Sequence, residues 1–147
     1  MKILRKLKTF HGSSKGLKWL FLRAFFLSAV VKFTLRYLPY RCRLRWMGLP
    51  NNETGTIGDD SLQQQRTLVK QALGWCKIYS PWNTECYTMA ITGKILLRQI
   101  GIDSTLYIGF RKKEDQSMEG HAWLRSGNVM ITGGEIAPLF SVHTYYT

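Results

Sequence analysis

The sequence predicts an α+β fold in which helices come first and an antiparallel sheet follows. Apolar residues recur at three- and four-residue steps in the first part of the chain, and short apolar runs bounded by turn residues follow. The composition, with 45% hydrophobic and 13% aromatic residues, is typical of a globular protein. A chain of 147 residues is long enough for one domain with an appended arm.

The first predicted helix extends over Lys15–Tyr37 and is amphipathic. A break at 12–14 precedes it, and Pro39 ends it because proline cannot continue the helical hydrogen-bond ladder. A basic, aromatic tail over 41–46 follows the proline. The apolar face of the helix consists of Leu17, Leu20, Phe21, Ala24, Leu27, Val31 and Leu35.

The excess of basic charge belongs to one region of the chain. The formal net charge is +12, yet residues 1–47 hold 12 of the 21 basic residues and none of the 9 acidic ones. Residues 48–147 are therefore neutral overall, and the basic region matches no nucleic-acid-binding module, so we expect no nucleic-acid partner. We predict a basic amphipathic helical arm over 1–49 and a folded domain over 50–147, with a polar linker at 50–58.

Two more helices are predicted within the folded domain. One begins at a cap among residues 59–61 and continues to Cys76. The other begins near Thr84, and Gly101 follows its last turn as a C-terminal cap. Together with the arm they supply the helical part of the fold.

Strands are predicted in the last third of the chain. Residues 104–110 alternate as a strand does, and a hairpin is predicted from 120–125 and 129–132 around a turn that contains Gly127-Asn128. A last strand is predicted within 136–146. The sheet is therefore expected to be antiparallel.

The cysteines argue against a disulfide framework and against a zinc site. Cys42, Cys76 and Cys86 are an odd number with no CxxC spacing, which is typical of a reducing compartment. Cys76 lies in a helical pattern and is expected to be a small buried residue. We expect neither a metal nor a cofactor.

Cys86 and His121 are the two residues that indicate chemistry. Cys86 follows a turn and falls in the first turn of the predicted helix, where the helix dipole and unpaired N–H groups push a thiol toward thiolate. His121 opens a short apolar run on a predicted strand, from which an imidazole can hold the ion pair. This is the arrangement of a cysteine hydrolase or an acyl transferase.

The N-terminal region is not expected to be a signal peptide or a membrane span. Its apolar stretch comes late and is not followed by a small-residue cleavage site. The longest charge-free apolar stretch there, Ala24–Val31, is much shorter than the roughly 20 residues that a spanning helix needs. We expect a cytoplasmic protein whose arm covers the core, docks on a partner protein or contacts an anionic membrane surface.

The block from Trp82 to Gly134 resembles the leader peptidase of lasso-peptide biosynthesis, a transglutaminase-like, papain-related cysteine protease. The likeness extends to the arm, where a leucine-rich helix closes before Pro39 and an arginine-rich segment follows. The motifs of the block are Pro81-Trp82-x-x-x-Cys86, Leu96-Leu97-Arg98-x-x-Gly101-Ile102, Leu106-x-Ile108-Gly109 and His121-Ala122-Trp123.

The resemblance implies roles for individual residues. Cys86 matches the nucleophile and His121 the general base. The family pattern has an aspartate about a dozen residues after the histidine, and this chain has none there. Glu135 is the nearest carboxylate; Thr132 or a backbone carbonyl are the alternatives for orienting the ring.

The oxyanion hole is expected to use the backbone N–H of Cys86. A second donor is expected from the Trp82 Nε1 or from Asn83, just before the helix, although an asparagine there also serves as a turn residue or cap. Trp123 is expected to pack in the core behind the histidine strand.

The resemblance implies a peptidase that removes the leader from a lasso-peptide precursor. It is the split form of the family that the chain resembles, so a separate leader-recognition protein is an expected partner, and the lasso cyclase is a further one. Two alternatives stay open. One is a transglutaminase or acyl transferase that uses the same Cys86–His121 site, and the other is a non-catalytic scaffold of a biosynthetic complex.

Overall fold

A computed structural model describes residues 14–55 and 60–147. Within these residues, four α-helices precede a four-stranded antiparallel sheet, which confirms the α+β prediction. The helices are α1 (Lys15–Tyr37), α2 (Tyr40–Met47), α3 (Gln63–Tyr79) and α4 (Cys86–Gln99). The strands are β1 (Thr105–Lys112), β2 (Met118–Ser126), β3 (Val129–Thr132) and β4 (Ser141–Tyr146).

Helix α1 begins and ends where the sequence predicts. The Ser14 hydroxyl accepts a hydrogen bond from the Leu17 amide at 3.3 Å, which caps the first turn. The predicted apolar face packs on the core, with Ala24 and Val31 fully buried at its centre. Among residues 14–55 and 60–147, no helix combines the length and the apolar character needed to cross a membrane.

Helix α2 forms where the sequence predicts only a basic, aromatic tail after Pro39. The proline ends α1 and at the same time occupies the N-cap of α2 with an extended backbone (φ −63°, ψ 155°). The eight residues of α2 bury Met47 against the core and leave their arginines outside. A proline therefore separates two helices here.

Helix α3 is preceded by a 3₁₀ turn rather than by a capping side chain. The turn spans Asp60–Leu62, and Leu62 takes the N-cap position, so the predicted cap at Asp60 or Ser61 is wrong. Asp59, the third candidate, lies outside the described residues. Cys76 is fully buried in α3, as expected of a small apolar residue.

The sheet has the order β3-β2-β1-β4, and the predicted hairpin is its β2–β3 pair. In the central pair, His121 on β2 lies opposite Gly109 on β1. Ala122 and Leu124 contribute to the main core with the helices, whereas Trp123 belongs to a second cluster with Phe140. The sheet thus carries two apolar clusters, and His121 lies at the end of the second one.

The predicted linker is paired with the end of the chain. Leu49 and Thr147 exchange two backbone hydrogen bonds, at 2.8 and 2.9 Å, and the Asn51 amide donates to the Tyr145 carbonyl at 3.0 Å. Residues 56–58 of the predicted linker lie outside the described residues. The arm and the domain also share one core, and the boundary at 49/50 stays a prediction.

Candidate active site

Cys86 lies in the first turn of helix α4, as the sequence predicts, but the helix begins at Cys86 itself and not near Thr84. Glu85 is the N-cap, with an extended backbone (φ −64°, ψ 154°), so the chain enters the helix directly at the cysteine. The first amides of a helix have no partner within it, and the positive end of the helix dipole lies there. The half-buried thiol of Cys86 thus sits where an anion is stabilised.

Helix α1 holds the loop that leads to Cys86. The Trp82 ring packs on Phe25 with 4.7 Å between ring centroids, and its Nε1 donates to the Ser28 hydroxyl at 3.3 Å. The ammonium group of Lys32 donates to the Asn83 carbonyl. Three side chains of one helix therefore position the entrance to α4.

This arrangement bears on the predicted second oxyanion donor. The Trp82 Nε1 already has an acceptor in Ser28, and Trp82 points to helix α1. Neither Trp82 nor Asn83 is among the residues that line the cavity containing Cys86. The structure does not bring these two predicted residues to the site. The Trp82 indole is bonded to Ser28 of helix α1, and the Asn83 carbonyl accepts from Lys32 of the same helix.

His121 is buried and is held by a backbone carbonyl. Its Nε2 lies 2.8 Å from the Gly133 oxygen, and the side chain is 7% exposed. A carbonyl oxygen only accepts hydrogen bonds, so Nε2 is the donor in this contact and Nδ1 is the ring nitrogen that is left for other chemistry. Nδ1 is therefore the nitrogen that can act as a base.

Two aromatic rings pack against the His121 imidazole and restrict its orientation. Trp123 is stacked on it at 5.7 Å between centroids, and the Phe140 ring lies at 5.0 Å. Trp123 is 5% exposed and also stacks on Tyr107, which confirms the expected core role of this tryptophan. The histidine is thus preorganised by packing as well as by its hydrogen bond.

Gly133 is a site residue that the sequence analysis missed. Its φ of +70° disfavours any residue with a Cβ, and a Cβ built there would lie 2.9 Å from His121 Nε2 and 2.8 Å from the Ala122 oxygen. Only glycine lets this carbonyl approach the imidazole. The Gly133-Gly134 pair directly after β3 is the sequence signal that could have indicated it.

Glu135 is not the partner of the histidine ring. The nitrogen that a triad carboxylate would hold is taken by Gly133, and Glu135 is exposed at the edge of the cavity. Of the alternatives named from sequence, the backbone carbonyl is the one observed. Among the described residues, the buried Thr132 hydroxyl has no hydrogen-bond partner.

One cavity brings Cys86, His121 and Glu135 together. Its volume is about 490 Å³. Within residues 14–55 and 60–147, no hydrogen bond joins the Cys86 thiol to His121, and both residues line the same cavity. The apolar wall consists of Leu73, Met89, Ile131, Ile136 and Phe140, and the charged side chains at the edge are those of Lys70, Lys77, Glu119 and Glu135.

The comparison with protein families gives one match. A family model described as transglutaminase-like superfamily matches residues 28–144, which is most of the 147-residue chain. The matched segment begins within α1 and includes the site described above. No curated protein and no solved structure matches the chain.

Proposed function

Because the chain belongs to the transglutaminase-like superfamily, we propose that it is a cysteine peptidase that removes the leader from a lasso-peptide precursor. The observation that carries the proposal is the state of His121. Its Nε2 is committed to the Gly133 carbonyl, which leaves Nδ1 as the base in the cavity that also contains Cys86. A cysteine at a helix N-terminus and an imidazole that is oriented through one nitrogen and has the other nitrogen left over are the two groups that thiol-based acyl chemistry needs.

The proposed reaction has two steps. The Cys86 sulfur attacks the scissile carbonyl after His121 Nδ1 has taken the thiol proton, and the leaving amine receives that proton. Water then hydrolyses the acyl-enzyme with the same imidazole as base. The backbone N–H of Cys86 stabilises the oxyanion, because an amide in the first helical turn is free to donate.

The imidazole is oriented without a carboxylate in this proposal. The Gly133 carbonyl sets the ring position, and it carries a dipole instead of a full charge. A thiolate–imidazolium pair is already ionised before attack, so it depends less on a third group than a serine–histidine pair does. Glu135 is left as a charged residue at the cavity edge.

The proposal includes partners and a compartment. A separate recognition protein binds the leader and raises the local concentration of the scissile bond, as tethering does. The freed core amine is then the substrate of the cyclase. The reducing compartment indicated by the cysteine pattern agrees with a thiol enzyme of the cytoplasm.

Mass spectrometry of the precursor tests the proposal. Incubated with this protein and the recognition protein, the precursor is expected to lose its leader. The Cys86→Ala variant should lower the rate at least about 10³-fold, since truncating a nucleophile removes the covalent route. The matched control is Cys42→Ala, which removes an exposed thiol on α2 and should cleave normally.

Normal cleavage by the Cys86→Ala variant would refute the proposed mechanism. A Cys86 thiol that does not react with thiol reagents, together with an uncleaved precursor, would favour the alternative that the protein is a non-catalytic scaffold.

Acyl transfer is the second candidate, because the family match and the Cys86–His121 site are common to both reactions. The two differ in the acceptor that resolves the acyl-enzyme. Cleavage repeated with a primary amine in excess separates them. A peptidase gives the free acid as its main product, whereas a transferase gives the amide.

A further inference from the structure

Helix α1 carries a second apolar stripe on the side that faces away from the core. Its members recur at steps of three or four residues, and their exposed fractions run from 44% at Leu22 to 68% at Tyr37. At about 1.5 Å per residue the stripe is about 27 Å long. An exposed apolar surface of this extent indicates an interaction site. The outward stripe consists of Trp19, Leu22, Phe26, Val30, Phe33 and Tyr37.

The outward stripe cannot turn inward to hide itself. The opposite side of α1 is buried through Ala24, Ser28 and Val31, all at 0% exposure. The Ser28 hydroxyl also accepts from Trp82 and lies 3.3 Å from the Cys76 sulfur, which ties the helix to α3 and to the loop before α4. The helix is therefore held along the domain with the stripe directed outward.

The charged residues of helices α1 and α2 are all basic. Lys15 at the start of α1, Arg36 near its end, and Arg41 and Arg45 on α2 are all exposed. The first acidic residue of the chain is Glu53, so no negative charge offsets them in the preceding sequence. A surface with one sign of charge attracts a partner of the opposite sign.

We propose that the outward stripe of helix α1 docks on an anionic membrane surface. An amphipathic helix with aromatic and aliphatic side chains on one side and basic residues beside them binds in the plane of a bilayer interface. Trp19 and Tyr37, the amphipathic aromatics, lie at the two ends of the stripe, and the phenylalanines lie between them.

The shape and the charge of the stripe favour a membrane over a protein partner. The stripe is a convex ridge on one helix. Fluid lipid adapts to the shape of such a ridge, whereas a protein partner needs a groove of matching shape. Lysine and arginine side chains beside it extend toward anionic headgroups while their methylene groups stay on the apolar surface. Charge complementarity therefore identifies the occupant as a bilayer rich in anionic lipid.

Docking places the loop before Cys86 close to the bilayer. The loop before Cys86 packs on the inner side of α1 through Phe25 and Ser28, whereas the stripe lies on the outer side. The two sides are separated by about one helix diameter, roughly 10 Å. The orientation of this loop relative to the membrane is then set by α1 itself.

Vesicle flotation with the full-length protein tests the docking. We expect the protein to float with vesicles of equal parts phosphatidylcholine and phosphatidylglycerol. Binding to pure phosphatidylcholine vesicles should be at least about tenfold weaker, and added salt should weaken the anionic binding because the charges are exposed. The readout is membrane partition, so it is independent of the peptidase proposal.

Substitutions on the stripe provide the matched comparison. Phe26→Ser and Phe33→Ser should each lower the partition coefficient about tenfold, since each removes a large apolar side chain from the interface. The control is Leu139→Ser with Val142→Ser, two similarly exposed apolar residues near and on β4, which should not change binding. Thermal unfolding of each variant shows whether the fold is retained.

Three results would overturn the proposal. The first is that the wild-type protein fails to float with anionic vesicles at low salt. The second is that the stripe variants float as well as the wild type, and the third is that the control variant loses as much binding as the stripe variants. The first result, combined with loss of stimulation by the recognition protein in the Phe26→Ser variant, would assign the stripe to a protein partner instead.

Discussion

Helix α4 is covered on every side between residues 88 and 94, whereas helix α1 is covered along one stripe and exposed along another. Both helices are apolar around most of their circumference. Even Lys94 of α4 is buried, and its Nζ donates to the Ser104 carbonyl at 2.8 Å. This burial lowers the pKa of Lys94 to about 8.

The exposed part of each helix indicates its role. On α4 the position open to the cavity is the N-terminus, where Cys86 lies. On α1 it is the outward stripe, while the inner side holds the loop before Cys86. The two helices therefore differ in the surface that is left uncovered, which is the N-terminus in α4 and the outward stripe in α1.

The largest expected effect is at His121, the proposed base. His121→Ala should lower cleavage about 10³-fold, because no other group in the proposed reaction takes the thiol proton. His143→Ala is the matched control, since His143 is exposed on β4 and is not among the cavity residues. Single-turnover cleavage of the precursor measures both, and equal rates for the two variants would contradict the assignment.

Stability should distinguish the two helices directly. Ile91→Ala in α4 removes a fully buried side chain and should lower the free energy of unfolding by about 2–5 kcal/mol. Phe26→Ala in α1 removes a larger side chain that is 66% exposed, and the change should stay within about 0.5 kcal/mol. Denaturant unfolding measures both; a similar loss for Phe26→Ala would mean that the stripe is covered in the free protein.

A smaller effect on rate is expected at Gly133. Gly133→Ala introduces a Cβ 2.9 Å from His121 Nε2 and should lower cleavage about tenfold by displacing the ring. Gly101→Ala is the matched control, because Gly101 also has a positive φ (+73°) but has open space around it. Both variants should lose stability through backbone strain, and only the first should lose activity. Equal cleavage rates in the two variants would show that Gly133 does not position His121.

The smallest effect is expected at the predicted third catalytic residue. Glu135→Gln should change the cleavage rate less than about threefold, because the histidine nitrogen is held by Gly133 and the carboxylate is exposed. The measurement is kcat/KM for the precursor beside that of His121→Ala. A loss as large as that of His121→Ala would show that Glu135 orients the base.

Elements with strong local signals were predictable from the sequence. Helix α1, helix α4 and the β2–β3 hairpin occur where periodicity and turn residues indicate them. Helix α2 was missed because Pro39 was interpreted as the end of helical structure, although proline also suits the start of a helix. The rule that proline ends a helix therefore predicted the end of α1 correctly but gave no indication of the start of α2.

Long-range contacts had no signal in the sequence. Leu49 pairs with Thr147, and Trp82 donates to Ser28, across separations that no local pattern reveals. The partner of His121 is a backbone carbonyl, which every residue has, so the Gly133-Gly134 pair indicates a close approach of the backbone without identifying the carbonyl as the acceptor. What marks it is the conformation, which only the folded chain shows.

The alkylation rate of Cys86 is the measurement that most directly tests whether a Cys86–His121 pair exists. With iodoacetamide at pH 6 and peptide mapping by mass spectrometry, Cys86 should react at least about tenfold faster in the wild type than in His121→Ala, because a neighbouring imidazole promotes the thiolate. Cys42, which is exposed on α2, serves as the internal reference and should react equally in both proteins. A Cys86 rate that is unchanged by His121→Ala would contradict the pair and the mechanism built on it.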